Sequence, residues 1–127
     1  MNAEEIVNTF IARVVAKDLD AACELVAADV EYDNVPMGKV EGPEGIKATL
    51  GPMVDGLDEV EFVLLRQTAT GNVVMNERID RFRIGDKWAD LPVAGVFEVD
   101  DEGRIKLWRD YFDMATFTDQ LTAILGG

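Results

Sequence analysis

Early in the chain, apolar residues recur every three or four positions, whereas from Val60 onward they alternate with polar ones. The first pattern predicts helices and the second predicts strands. Ile6, Val7, Phe10, Ile11 and Val14 form one stripe, so residues 3–16 read as an amphipathic helix, and Asn2 with Glu5 supplies a capping box at its start. A shorter helix is expected over 19–27, with Leu19, Ala22, Cys23, Leu25 and Val26 apolar. Val30 to Val35 reads as a short strand ended by Pro36. A third helix starts at Gly42-Pro43, with proline at its favoured first position, and turns Ile46 and Leu50 inward. Pro52 is expected to kink or end it.

Strands follow at 60–69, 73–84, 88–99 and 104–112, separated by Thr70-Gly71-Asn72, Gly85-Asp86-Lys87 and Asp100-Asp101-Glu102-Gly103. They are longer than most strands, which predicts strong curvature. A last helix over 114–125 follows Asp113 as its N-cap. Helices, then long meandering strands, then a helix predict an α+β fold over residues 1–127. The sheet is expected to be curved, mixed and mostly antiparallel, with three to four helices over one face enclosing a cone-shaped pocket for a small ligand.

One strand breaks the apolar rule on its apolar face. On 73–84, Arg78 and Asp80 share a side with Val74, Phe82 and Ile84, while Glu77, Arg81 and Arg83 occupy the other. A charged pair there is costly to bury and is either architecture or chemistry. On 104–112, Asp110 shares a face with Lys106, Trp108 and Phe112, opposite Ile105, Leu107, Arg109 and Tyr111. Asp110 is desolvated between the two aromatic rings if that face points inward. Tyr32 and Asn34 share a face of strand 30–35 and offer a hydroxyl and an amide. Glu31 and Asp33 face away and read as solvated, and Asp90 lies opposite Leu91, Val93 and Phe97. Phe82, Leu91, Val93, Trp108 and Phe112 are candidate pocket walls that read equally well as ordinary core. Ile79, Ile105 and Leu107 leave apolar side chains on the outer face, so a homodimer is expected.

Composition narrows the chemistry. The chain has 127 residues, 48% hydrophobic and 29% charged, ordinary values for a globular protein. Its net charge of −13 opposes nucleic acid and anionic membranes as partners and favours a neutral small molecule. With no histidine, Ser–His and Cys–His nucleophile pairs and histidine metal sites are excluded, and acid–base work falls to carboxylates. No glycine-rich phosphate loop occurs, and neither a cofactor nor a metal is expected. A single cysteine allows no intrachain disulfide, and there is no basic-then-apolar leader or transmembrane run, so a cytoplasmic location is expected.

Tyr32-Asp33-Asn34, Glu77-Arg78-Ile79-Asp80 and Trp108-Arg109-Asp110-Tyr111-Phe112-Asp113, in this order and on these strands, resemble the limonene-1,2-epoxide hydrolase family. The wider superfamily is SnoaL-like, or nuclear-transport-factor-2-like, a cystatin-like roll. The resemblance implies one-step addition of water to a hydrophobic epoxide, giving a vicinal diol. It makes Asp110 the base that activates the water, Tyr32 and Asn34 the groups that hold that water, and Asp80 the acid that protonates the epoxide oxygen. Arg78 then lies between the carboxylates. The turn at 85–87 looks shorter than in the family. The same fold class also hosts isomerases of the ketosteroid type and non-catalytic small-molecule binders, and both stay open as alternatives.

Overall fold

The capping box forms: Asn2 Oδ1 accepts from the Glu5 amide at 2.8 Å, and Glu5 Oε1 accepts from the Asn2 amide at 3.1 Å. It opens α1 (Ala3–Val15), followed by α2 (Leu19–Cys23), β1 (Val26–Val35), β2 (Gly38–Glu41), α3 (Gly42–Gly56), β3 (Glu59–Thr70), β4 (Val73–Ile84), β5 (Lys87–Val99), β6 (Ile105–Tyr111) and α4 (Met114–Leu125). This computed structural model describes residues 1–126. The long alternating strands predicted from the sequence are present as β3 to β6, and Asp113 caps α4 by accepting from the Thr116 amide at 2.9 Å. No helix among the described residues is long and apolar enough to cross a membrane.

The strands form one curved, open sheet in the order β2-β1-β6-β5-β4-β3. Neighbours are antiparallel except β1 and β6, which run parallel. The helices pack on the inner face in two groups. Ile6, Val7, Phe10 and Val14 of α1 and Ile46 and Leu50 of α3 meet Val74, Phe97 and Trp108 of the sheet in one cluster. Val54 of α3 and Ile124 of α4 meet Val60, Phe82, Leu91 and Val93 in a second. Between them α3, α4 and the bent sheet enclose a cavity of about 450 Å³.

Several expectations are corrected. The helix expected over 19–27 stops at Cys23, and Val26 and Ala27 are buried as the start of β1, which is longer than the expected strand. An apolar run this short satisfies either period, and pairing of Val26 with Ile105 decides for the strand. The four-residue β2 after Pro36 was not expected from its sequence. Pro52 does not end α3, which continues to Gly56; burial of Val54 and Leu57 beyond it offsets the hydrogen bond that proline removes.

Ile105 is fully buried rather than on the outer face, and Lys106 is exposed. Along β5 the register passes from Glu98↔Leu107 to Val99↔Ile105, so Lys106 is an extra residue in a bulge. Alternation from Trp108 onward is unaffected. Glu31 and Asp33 do lie on the outer face, but they are half-buried and paired: Arg109 Nη2 donates to Glu31 at 2.8 Å and Arg109 Nε to Asp33 at 3.0 Å.

Candidate active site

Among the described residues the buried polar and charged side chains are Asn76, Arg78, Asp80 and Asp110, and they form a single cluster at one end of the cavity. Two-residue alternation on β4 brings Asn76, Arg78 and Asp80 to the inner face. The ladder does the rest. Asn34 on β1 pairs with Asp110 on β6, and Tyr32 with Trp108. Asp110 in turn pairs with Gly95 on β5, and Gly95 with Asn76 on β4.

Arg78 is the hub. Its Nε donates to Asp80 Oδ1 at 3.0 Å and its Nη2 to Asp80 Oδ2 at 3.0 Å. The same Nη2 donates to Asp110 Oδ2 at 2.8 Å, and Nη1 donates to Asp110 Oδ1 at 3.2 Å and to Asn76 Oδ1 at 2.9 Å. A guanidinium has five N–H groups, and here each has an acceptor within the protein. None is left for a ligand. The Arg78 side chain is fully buried and is not part of the cavity wall, and the Phe62 ring lies 4.9 Å from its central carbon.

Asp80, Asp110, Tyr32 and Asn34 do line the cavity. So do all the expected walls, Phe82, Leu91, Val93, Trp108 and Phe112. Trp108 also hydrogen-bonds: its Nε1 donates to Asp110 Oδ1 at 2.9 Å. The indole is held by stacking on Tyr32 at 4.2 Å and Phe97 at 5.8 Å and by the edge-on ring of Phe10 at 5.1 Å. Oδ1 of Asp110 thus accepts two hydrogen bonds and Oδ2 one, which leaves a lone pair on Oδ2.

The electrostatics follow from burial. One guanidinium between two ionised carboxylates carries a net negative charge out of water; one added proton makes the group neutral. Burial accordingly pushes the Asp80 carboxyl up to about 6, against the hydrogen bond and charge of Arg78 and with the charge of Asp110 adding to it. Burial also works against the charge of Arg78, but Asp110 and Asp80 outweigh it and hold the guanidinium above its ordinary range. Burial, then the charge of Asp110, push the Tyr32 phenol up, so it remains a neutral hydrogen-bonding group. One protonated carboxyl and one carboxylate beside it are the equipment for giving a proton at one point and taking one at another.

Sequence reasoning missed Asn76, Gly95, Phe62 and the hydrogen bond of Trp108. Asn76 was within reach, since it occupies the same alternating face as Arg78 and Asp80. Gly95 is an isolated glycine in a strand, the usual mark of a close backbone approach. A Cβ there would sit 2.4 Å from Arg78 Nη1, 2.8 Å from Asp110 Oδ1 and 2.9 Å from Asn76 Oδ1.

Comparison with known proteins places the chain in a family. Residues 1–123 match the model of the limonene-1,2-epoxide hydrolase catalytic domain. Epoxide hydrolase EphG of Mycobacterium tuberculosis (strain ATCC 25618 / H37Rv) is 38% identical over 108 residues, covering 85% of this chain and 71% of that protein. The structure of an M. tuberculosis LEH-like epoxide hydrolase superposes with a TM-score of 0.77 at 36% identity, covering 98% of this chain and 90% of the other. A SnoaL-like protein from Shewanella denitrificans OS-217 superposes with a TM-score of 0.84 at 18% identity, covering 95% and 97%, which shows the shared fold alone. The chain belongs to the limonene-1,2-epoxide hydrolase family.

Proposed function

We propose that the protein hydrolyses a neutral, mostly hydrophobic epoxide to a vicinal diol in one step, without a covalent enzyme intermediate. One observation carries this reading: Arg78 shares its donors between Asp80 and Asp110 at the polar end of a cavity that is otherwise largely apolar. Among the described residues no lysine or arginine lines that cavity, so nothing there would offset an anionic substrate.

In this mechanism Asp110 Oδ2 takes a proton from a water held by Tyr32 and Asn34. The water oxygen attacks one epoxide carbon as the carbon–oxygen bond breaks. The leaving oxygen receives its proton from Asp80. Asp110 ends protonated and Asp80 ionised, so a proton must return before the next turnover. Arg78 does not carry it, because a guanidinium does not give up its proton in a protein. The proton returns through water entering the open cavity. Acid and base contribute about 10²–10⁴-fold each, and alignment of water and ring supplies more.

The test is incubation with limonene oxide and with cyclohexene oxide in ¹⁸O water. Diol carrying one solvent oxygen is expected, and Asp80→Asn and Asp110→Asn should each abolish it while circular dichroism stays unchanged. Wild-type turnover in either variant would falsify the paired-carboxylate mechanism. An isomerase on this fold would give a product without solvent oxygen, and a pure binder would show only a raised melting temperature.

A further inference from the structure

Beyond the carboxylates, a line of amides runs from Arg78 to the surface. Arg78 Nη1 donates to Asn76 Oδ1 at 2.9 Å. Asn76 Nδ2 donates to Gln67 Oε1 on β3 at 3.1 Å, and Gln67 Nε2 donates to Asn8 Oδ1 on α1 at 3.0 Å. Asn76 is buried, Gln67 half-buried and Asn8 exposed. Neither Asn76 nor Gln67 lines the cavity.

The direction of this line is dictated by chemistry. A guanidinium only donates, so it must meet the oxygen of the Asn76 amide. That turns the Asn76 NH₂ toward Gln67, which must present its own oxygen, and the Gln67 NH₂ then faces Asn8. Each amide fixes the next. At the inner end, Asn76 Oδ1, Asp110 Oδ1 and Arg78 Nη1 all crowd into the space that the missing side chain of Gly95 leaves open.

We propose that Asn76, oriented by Gln67 and Asn8, is a positioning residue that holds the Arg78 guanidinium where it divides its donors between Asp80 and Asp110. Nη1 has two hydrogens, and Asp110 takes one. Without an acceptor for the other, the buried guanidinium is free to turn toward one carboxylate at the expense of the second. The acid and base would then lose the fixed spacing that concerted ring opening needs. This inference rests on the reading of Asp80 and Asp110 as acid and base.

The experiment compares Asn76→Leu, Gln67→Leu and Gln67→Glu with the wild type on cyclohexene oxide. Asn76→Leu is expected to lower kcat by about 10- to 100-fold, as for loss of a buried hydrogen bond to a charged group. KM should stay unchanged, because Asn76 does not touch the cavity. The high-pH limb of kcat/KM, set by Asp80, should move as the hold of Arg78 on that carboxylate changes. Gln67→Leu should give a smaller loss of kcat in the same direction. Gln67→Glu keeps an oxygen for Asn76 Nδ2, and Asn8 can turn its NH₂ to the new carboxylate, so this variant should restore kcat.

A folded Asn76→Leu with wild-type kcat and pH profile overturns the proposal. If Asn76→Leu does not fold, the Gln67 pair decides: equal kcat in Gln67→Leu and the wild type overturns it, and a loss that Gln67→Glu rescues supports it. Asp80→Asn and Asp110→Asn run in the same assay separate the two failures. If they are active, the acid–base reading falls. If they are inactive while the Asn76 and Gln67 variants match the wild type, only the positioning role falls.

Discussion

Trp108 and Asp110, neighbours on the inner face of β6, are joined by an indole N–H to Oδ1 hydrogen bond of 2.9 Å. The bond consumes an acceptor position on the oxygen that Arg78 Nη1 also reaches, and leaves Oδ2 as the atom with a lone pair to spare. A residue that sequence reasoning assigns to the pocket wall therefore also orients Asp110. Trp108→Phe keeps an aromatic ring against Tyr32 and removes the donor. Its kcat is expected to fall at least about tenfold, as for other supporting hydrogen bonds in sites, while the melting curve stays cooperative. Steady-state kinetics on a folded preparation checks this.

Gly95→Ala is the smallest change that should disable the site. Its Cβ would overlap Arg78 Nη1, Asp110 Oδ1 and Asn76 Oδ1 together, all nearer than 3.0 Å. These atoms belong to side chains already tied by hydrogen bonds, so none can give way alone. A loss of kcat of about 100-fold or more is expected, as for displacement of reacting groups by an ångström. Gly95→Ala with full activity would show that the cluster has slack.

The rate should fall as the solution becomes alkaline. In the proposed mechanism Asp80 must be protonated to act, and its carboxyl is pushed up to about 6, chiefly by burial. Since kcat/KM reports the free enzyme, it is expected to decline as pH rises through about 6.

The same shift has a stability consequence that runs in the same direction with pH. The folded value of about 6 lies above the ordinary 3.8. The stabilising contribution of Asp80 is thus complete below the ordinary value and is lost as pH rises through the folded one. Asp80→Asn cannot lose it. The unfolding free energy of the variant minus that of the wild type should therefore grow by about 3 kcal/mol between acid and neutral pH. Urea titrations of both proteins across that range measure it, and a flat difference would contradict the shift.

Association is the fifth expectation. Val63 and Leu65 on β3, Met75 on β4 and Tyr111 on β6 are large apolar side chains left exposed on the outer face. Ile79 and Leu107 are half-buried among them, while Ile105 has turned into the core. A homodimer closed over this outer face is expected by light scattering at micromolar concentration, and Met75→Glu should shift it toward monomer. A monomeric wild type would leave this surface without the proposed partner.

Much of this was legible in the sequence because strand alternation is a strict code. Arg78 and Asp80 fall on the buried face of β4 by counting from Val74, and Asp110 follows from Trp108 in the same way. What the code does not carry is the sideways relation between strands. Asn34 stands opposite Asp110 because β1 runs parallel to β6, and nothing local to either segment announces that pairing. Bulges were equally silent: one extra residue at Lys106 reverses the side on which Ile105 lies. Donor arithmetic was also out of reach. That Arg78 needs a fifth acceptor, and finds it in Asn76, emerges only once both carboxylates are in place.

Parallel pairing leaves β1 with a problem that hairpins do not have. Tight turns pin the register of β3 on β4 and of β4 on β5, but β1 meets β6 only after the rest of the sheet has intervened. A slip by one residue would carry Asn34 away from Asp110 and turn Tyr32 outward. On the opposite face Arg109 grips Glu31 and Asp33, which flank Tyr32 and lie 78 and 76 residues away in sequence. A planar fork engaging two carboxylates one pleat apart fits a single alignment of the strands. Arg109 thus works as a detent on the outside of the sheet, keeping the inner faces of β1 and β6 in step without touching the cavity.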